Sequence, residues 1–169
     1  AVILGAVFIK QPIFLREVLM VAAAVGSYYT TRKPVHVANH FNFHPIQEVA
    51  ILFLGIFATM MPALDWLQIH AAKLGDPTPA FFFWGSGVLS SVLDNAPTYL
   101  SFLSALMGAA QNTDMQHLLA TQSTQLVAIS VGAVFFGANT YIGNGPNFMV
   151  KAIADQQKVR TPTFLGYIF

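Results

Sequence analysis

The chain has no cysteine. That excludes disulfides, thiolate metal sites and cysteine nucleophiles. Charge is scarce as well: eight Lys and Arg and seven Asp and Glu make up 9% of the 169 residues. An ordinary soluble domain carries about 25% charged residues. The formal net charge of +1 gives no electrostatic case for nucleic acid as a partner. No His-Glu zinc motif, no Gly-x-Ser-x-Gly elbow and no paired carboxylates occur, so nothing supports an enzyme. A basic leader region is missing too, and no signal peptide is read at Ala1. Both ends lie in apolar stretches, which reads as a fragment of a longer polytopic protein.

What the chain has in abundance is apolar residues, 55% of the total, with a mean hydropathy of +0.59. They come in long runs, not in alternation or narrow helical stripes. This places the chain in the all-α, integral membrane class, with the lipid bilayer as its first partner. Residues 1–9 read as the tail of a helix ended by Lys10-Gln11-Pro12. Residues 13–29 form a candidate span, with Arg16 and Glu17 at the interface and Tyr28-Tyr29 as an aromatic belt. Residues 30–45 form a polar connection. His36, His40 and His44 fall four apart and would share one face of a helix, a spacing that could hold a metal. Asn39, Asn42 and two prolines favour an interfacial linker instead. Residues 46–64 are the clearest span. Pro45 suits its first turn, and Glu48 suits the positive helix end. Pro62 and Trp66 mark its far end, with a loop expected over residues 65–79 and a polar loop over residues 107–123.

Two polar breaks interrupt the remaining apolar segments. The first is Ser90-Ser91-Val92-Leu93-Asp94-Asn95-Ala96-Pro97-Thr98. Its flanking arms, residues 80–93 and 98–110, are each about 13 residues, or roughly 20 Å as helix. Neither crosses a hydrocarbon core of about 30 Å. One long helix kinked at Pro97 and a re-entrant hairpin with its tip at Asp94 both fit, and the count of Lys and Arg on each side slightly favours the crossing helix. Asp94 is the one acid inside an apolar segment, which marks it as a proton and cation exchange site. Capping the second arm is the plainer role. Gly85, Ser86, Gly87, Ser90 and Ser91 suit close helix packing.

The second break is Asn139-Thr140-Tyr141-Ile142-Gly143-Asn144-Gly145-Pro146-Asn147. It reads as an unwound transmembrane helix. Gly143 and Gly145 allow unusual backbone angles, and Pro146 can open a new half-helix. Carbonyls and the side chains of Asn139, Thr140, Asn144 and Asn147 offer uncharged oxygens to a hard cation, while amide donors suit an anion. For Asn139 and Thr140, hydrogen-bonding glue between helices is the simpler alternative.

With both breaks in view, the chain resembles the ion transporter superfamily, which includes citrate transporters, sodium/proton antiporters, arsenite transporters and divalent anion/sodium symporters. Residues 91–98 look like the hairpin-tip motif of its second repeat. Residues 137–148 look like the following broken helix, with its Thr-x-Ile-Gly-x-x-Pro-Asn pattern. Residues 44–57 look typical of the citrate transporter branch, often labelled sodium:proton antiporter. The resemblance implies a re-entrant helical hairpin followed by a broken helix, one half of an inverted-repeat fold. It also implies elevator or rocking motion, a homodimer and a bacterial inner membrane. Residues 1–64 would be scaffold-type helices, residues 65–154 the transport-type elements, and residues 155–169 a loop and the start of a further helix.

Asp94-Asn95 stands where anion symporters carry Ser-Asn, and a fixed charge beside an anionic substrate is unfavourable unless neutralised. That departure favours sodium/proton antiport by alternating access, with a cation-coupled citrate or other organic anion transporter as the alternative. Asp94 is then the exchanging group. Ser91, Asn95, Thr98, Asn139, Thr140, Gly143, Asn144, Gly145 and Asn147 are the expected ligand set, with Asp94, Asn95 and Asn144 nearest to sodium. No cofactor is expected beyond sodium as a coupling ion.

Overall fold

The computed structural model describes residues 2–9 and 12–168, so the expected helix stop at Lys10-Gln11 lies outside the described residues. The chain separates into two compact units, Ala1–Asn42 and Phe43–Phe169. Among the described residues every regular element is helical.

The first unit holds α1 (Val2–Ala6), α2 (Leu15–Thr30) and α3 (Lys33–Ala38). The hydroxyls of Thr30 and Thr31 donate back to Gly26 O and Ser27 O, at 2.7 and 2.6 Å, and close α2. Pro34 sits in the first turn of α3, where its missing N–H costs nothing. His36 lies 3.2 Å from Tyr28 O and its ring meets those of Tyr28 and Phe41. His40 has φ +47°, which stops the helix from continuing. With His44 opening the next helix, no single helical face carries all three histidines. Among the described residues, no group of three His, Asp or Glu could hold a metal ion.

The second unit begins with α4 (His44–His70), followed by a 3₁₀ turn (Ala71–Leu74). At 27 residues, α4 is about 40 Å long. Pro45 fits its first turn. The helix does not stop near Pro62 as expected. Pro62 forfeits one backbone hydrogen bond and crowds the carbonyl four residues back, yet the helix runs on through it to His70, with the Trp66 and His70 rings stacked 4.5 Å apart. Glu48 lies beyond the first turn and is not a dipole cap; its partner is His44, at 3.2 Å. Among the described residues, His44–Leu74 is the one helical segment long and apolar enough to cross a membrane alone. Its mean hydropathy is 1.8, and none of that apolar window is buried within the chain.

The next helices are α5 (Pro79–Ser90), α6 (Asn95–Ala110), α7 (Met115–Thr121) and α8 (Ser123–Phe136). Thr78 caps α5, accepting from Phe81 N at 3.3 Å, and Pro79 fills its first turn. On one straight helix Phe82 and Phe102 would be roughly 30 Å apart. Their ring centroids are 6.4 Å apart, so the chain reverses between α5 and α6. The first break is therefore the bend of a helical hairpin, not a kink in one rod.

Residues 107–123, expected as a loop, contain α7. Asp114 caps it, accepting from Gln116 N at 3.0 Å, and the chain bends by 98° into α8. A core of Phe82, Leu103, Leu106, Leu118, Leu126 and Ile129 ties α5, α6, α7 and α8 together. In an apolar surrounding such helices are held by close van der Waals packing and hydrogen bonds, not by transfer of the side chains out of water. The small residues let backbones approach. A Cβ on Gly132 would collide with Ser86 Oγ and Phe83 O, and one on Gly87 would reach 2.7 Å from the Phe136 ring. The chain then unwinds and resumes as α9 (Gly145–Gln156) and α10 (Phe164–Ile168).

Candidate functional site: two breaks clasped together

The two polar breaks lie far apart in sequence and side by side in the fold. Ser90 and Ser91 end α5 because Asp94 starts the next helix: its carboxylate oxygen Oδ1 accepts from Ala96 N at 3.1 Å. This is the capping role read from the sequence. Asp94 also faces the second break, since a Cβ placed on Gly145 would lie 3.3 Å from Asp94 Oδ2. Gly145 is the first residue of α9, and Asn144 precedes it as an extended N-cap whose side chain makes no cap bond. One half-buried carboxylate thus stands at the positive ends of two half-helices.

Asn95 is the centre of the clasp. Its amide is oriented by its surroundings, which present acceptors to one end. With the nitrogen there, it donates to Gly143 O at 2.7 Å, Ala133 O at 3.1 Å and Ser90 Oγ at 3.2 Å. The Ser90 hydroxyl in turn donates to Ala133 O at 2.5 Å. Thr140, 3% exposed, donates to Ser91 O at 2.6 Å and accepts from Gly143 N at 3.0 Å. Asn139 Nδ2 donates to Ser91 Oγ at 3.1 Å. These bonds satisfy the backbone groups that each unwound segment exposes, as burial in an apolar setting requires.

The glycines serve closeness here, not unusual backbone angles. Among the described residues the one glycine with positive φ is Gly75. A Cβ on Gly143 would strike Ser90 O, one on Gly137 would strike the Asn95 side-chain amide, and one on Gly145 would come 2.9 Å from the Phe53 ring.

The expected ligand residues fall into three places. Ser91, Asn139 and Thr140 wall a cavity of about 520 Å³, closed on its other side by Phe164 and Tyr167 of α10. Asp94, Asn144 and Gly145 meet at the paired helix ends. Asn147 is half-buried on the first turn of α9. Thr98 is fully buried inside α6, with Oγ1 unpartnered, and does not wall that cavity. Asn95 and Gly143 form the clasp between these places. Ser90 and Ala133 complete the clasp and were not in the expected set. Ser90 was legible only as a packing residue, and Ala133 contributes a carbonyl that no side-chain pattern announces.

Chemically, the cavity offers a hydroxyl and an amide to a polar solute, against an aromatic wall. The helix ends offer positive potential, already matched by one carboxylate. No curated protein and no solved structure matches the chain. A family-level sequence profile described as putative citrate transport does match, over residues 2–169. That match spans both breaks, the hairpin and the long apolar helix, and it makes the chain part of a membrane transport protein. The chain belongs to the putative citrate transport family.

Proposed function

We propose that these elements form the substrate site of a secondary transporter for a citrate-like organic anion, coupled to a cation. The observation that carries this reading is the meeting of the α6 and α9 N-terminal ends at Asp94. Paired helix ends favour carboxylate groups, and half-helices of this kind serve that purpose in secondary transporters. Asp94 supplies the need for coupling: a substrate carboxylate arriving there meets a like charge unless a proton or cation accompanies it. The cavity beside Ser91, Asn139 and Thr140 gives the anion hydrogen-bonding partners. The α5–α6 hairpin is then re-entrant, α4 is a spanning helix, and two copies pair as a homodimer in a bacterial inner membrane.

Sodium/proton antiport is the second reading. It is favoured by Asp94 being the one carboxylate at the two breaks, with Asn144, the neighbour of Gly145 in the chain, as a neutral cation ligand. The test uses the full-length protein in sealed vesicles, following labelled citrate and internal pH together. Citrate uptake that requires a cation gradient supports the first reading. Sodium-dependent proton flux without citrate uptake overturns it in favour of antiport.

A further inference from the structure

A second cavity, of about 500 Å³, lies away from the clasp. Its walls come from the start of α4 (His44, Glu48), from the second break (Tyr141), and from α9 (Phe148, Lys151, Asp155). Three features set its chemistry. First, it contains both signs of charge: Lys151 from α9, whose side chain is 22% exposed, and the carboxylates Glu48 and Asp155 from two different helices. Second, it sits against the start of α4, where Pro45 lines it, and against the closing turns of α9 at Asp155. It is therefore positive toward one helix end and negative toward the other. Third, α4 is the membrane-crossing candidate and begins at His44, so the cavity lies at the depth where a span meets headgroups. Tyr141 and Phe148 line it with the rings expected at that level.

We infer that this cavity binds a zwitterion combining a phosphate with a primary ammonium, as in a phosphatidylethanolamine headgroup. The phosphate pairs with Lys151 near the positive end of α4. The ammonium donates to Glu48 and Asp155. The existing pairs, His44 with Glu48 and Lys151 with Asp155, are each one turn apart on a single helix, a kind of pair that holds weakly at a surface. A ligand bridging the two helices can therefore compete for Glu48, Lys151 and Asp155. A choline headgroup has no N–H to donate, and a glycerol headgroup has no cation, so both leave the carboxylates unmatched. The inference rests on the membrane placement alone and is independent of which solute is carried.

The test is native mass spectrometry of the full-length protein in detergent. Short-chain phosphatidylethanolamine, phosphatidylcholine and phosphatidylglycerol would be offered at equal concentration. At least tenfold preferential retention of the ethanolamine lipid is expected, falling to the level of the other two in Lys151→Ala and in Glu48→Gln. Soluble phosphoethanolamine in excess should displace the lipid, which locates recognition in the headgroup. Failure to displace would place recognition in the acyl chains and overturn the assignment. Equal retention of the three lipids, preference for the glycerol lipid, or unchanged retention in both variants would also overturn it. Citrate uptake measured on the same preparations reports separately on the transport reading.

Discussion

The side-chain amide of Asn95 donates to the carbonyl of Gly143 at 2.7 Å, joining the bend of the helical hairpin to the unwound stretch before α9. That one contact explains how two polar interruptions coexist in an apolar chain. Each supplies what the other lacks: side-chain donors from the hairpin tip meet unpaired carbonyls of the unwound segment, and the Thr140 hydroxyl returns the favour at Ser91 O.

Asn95→Ala should therefore lower stability. It leaves Gly143 O without its side-chain donor, a loss of about 1–3 kcal/mol for a buried group, while Ala133 O keeps the Ser90 hydroxyl. Thermal unfolding of the purified protein in detergent measures it. A melting temperature equal to wild type would refute the clasp.

Thr98→Val makes the opposite point. Thr98 Oγ1 is buried without a partner, so replacing the hydroxyl by a methyl of similar shape should leave stability unchanged or raise it by up to about 1 kcal/mol. A clear loss of stability, or a changed substrate KM, would return Thr98 to the ligand set expected from the sequence.

Asp94→Asn separates capping from charge. Asparagine caps a helix about as well as aspartate, so the fold should hold within about 0.5 kcal/mol while cation coupling of transport is lost. Asp94→Ala should cost about 1 kcal/mol in addition. Coupled flux that survives Asp94→Asn would remove Asp94 from the exchange role.

Gly132→Ala and Gly55→Ala form a matched pair. A Cβ at residue 132 meets Ser86 Oγ and Phe83 O, whereas one at residue 55 meets nothing within 4 Å. The first should cost about 1–3 kcal/mol by overpacking. The second, in mid-helix, should stabilise by up to about 1 kcal/mol. Comparing melting temperatures tests whether α5 and α8 approach as described.

Asp155 carries the pH prediction. Hydrogen bonds from Lys151 and then Thr161 hold its carboxyl below its ordinary value of 3.8. A folded pKa below the unfolded one contributes stability above the ordinary value, and that contribution is lost as pH falls through the lowered one. Lys151→Met should move the Asp155 titration back up toward 3.8, read by carboxyl NMR. An unmoved midpoint would show that the pair does not persist in solution.

The sequence alone determined the class of molecule, the two breaks and the starts of several helices. Scarce charge and long apolar runs dictate an apolar environment whatever the fold. Pro45, Pro79 and Pro146 each open a helix, as a missing N–H allows. Asp94 was legible as a cap because its preference is local. Pro62 misled because a proline's lost hydrogen bond and crowding are local, and the helix continues on its far side. The glycines misled because local freedom and tertiary closeness leave the same letter in the sequence. Only the tertiary structure decided between hairpin and kinked rod, since the charge count slightly favours the rod and the Phe82–Phe102 contact requires the hairpin. It also divided the polar residues into clasp, cavity wall and helix-end group. That division depends on which carbonyls the unwound backbone turns toward Asn95 and Thr140, a long-range geometry that residue type does not encode.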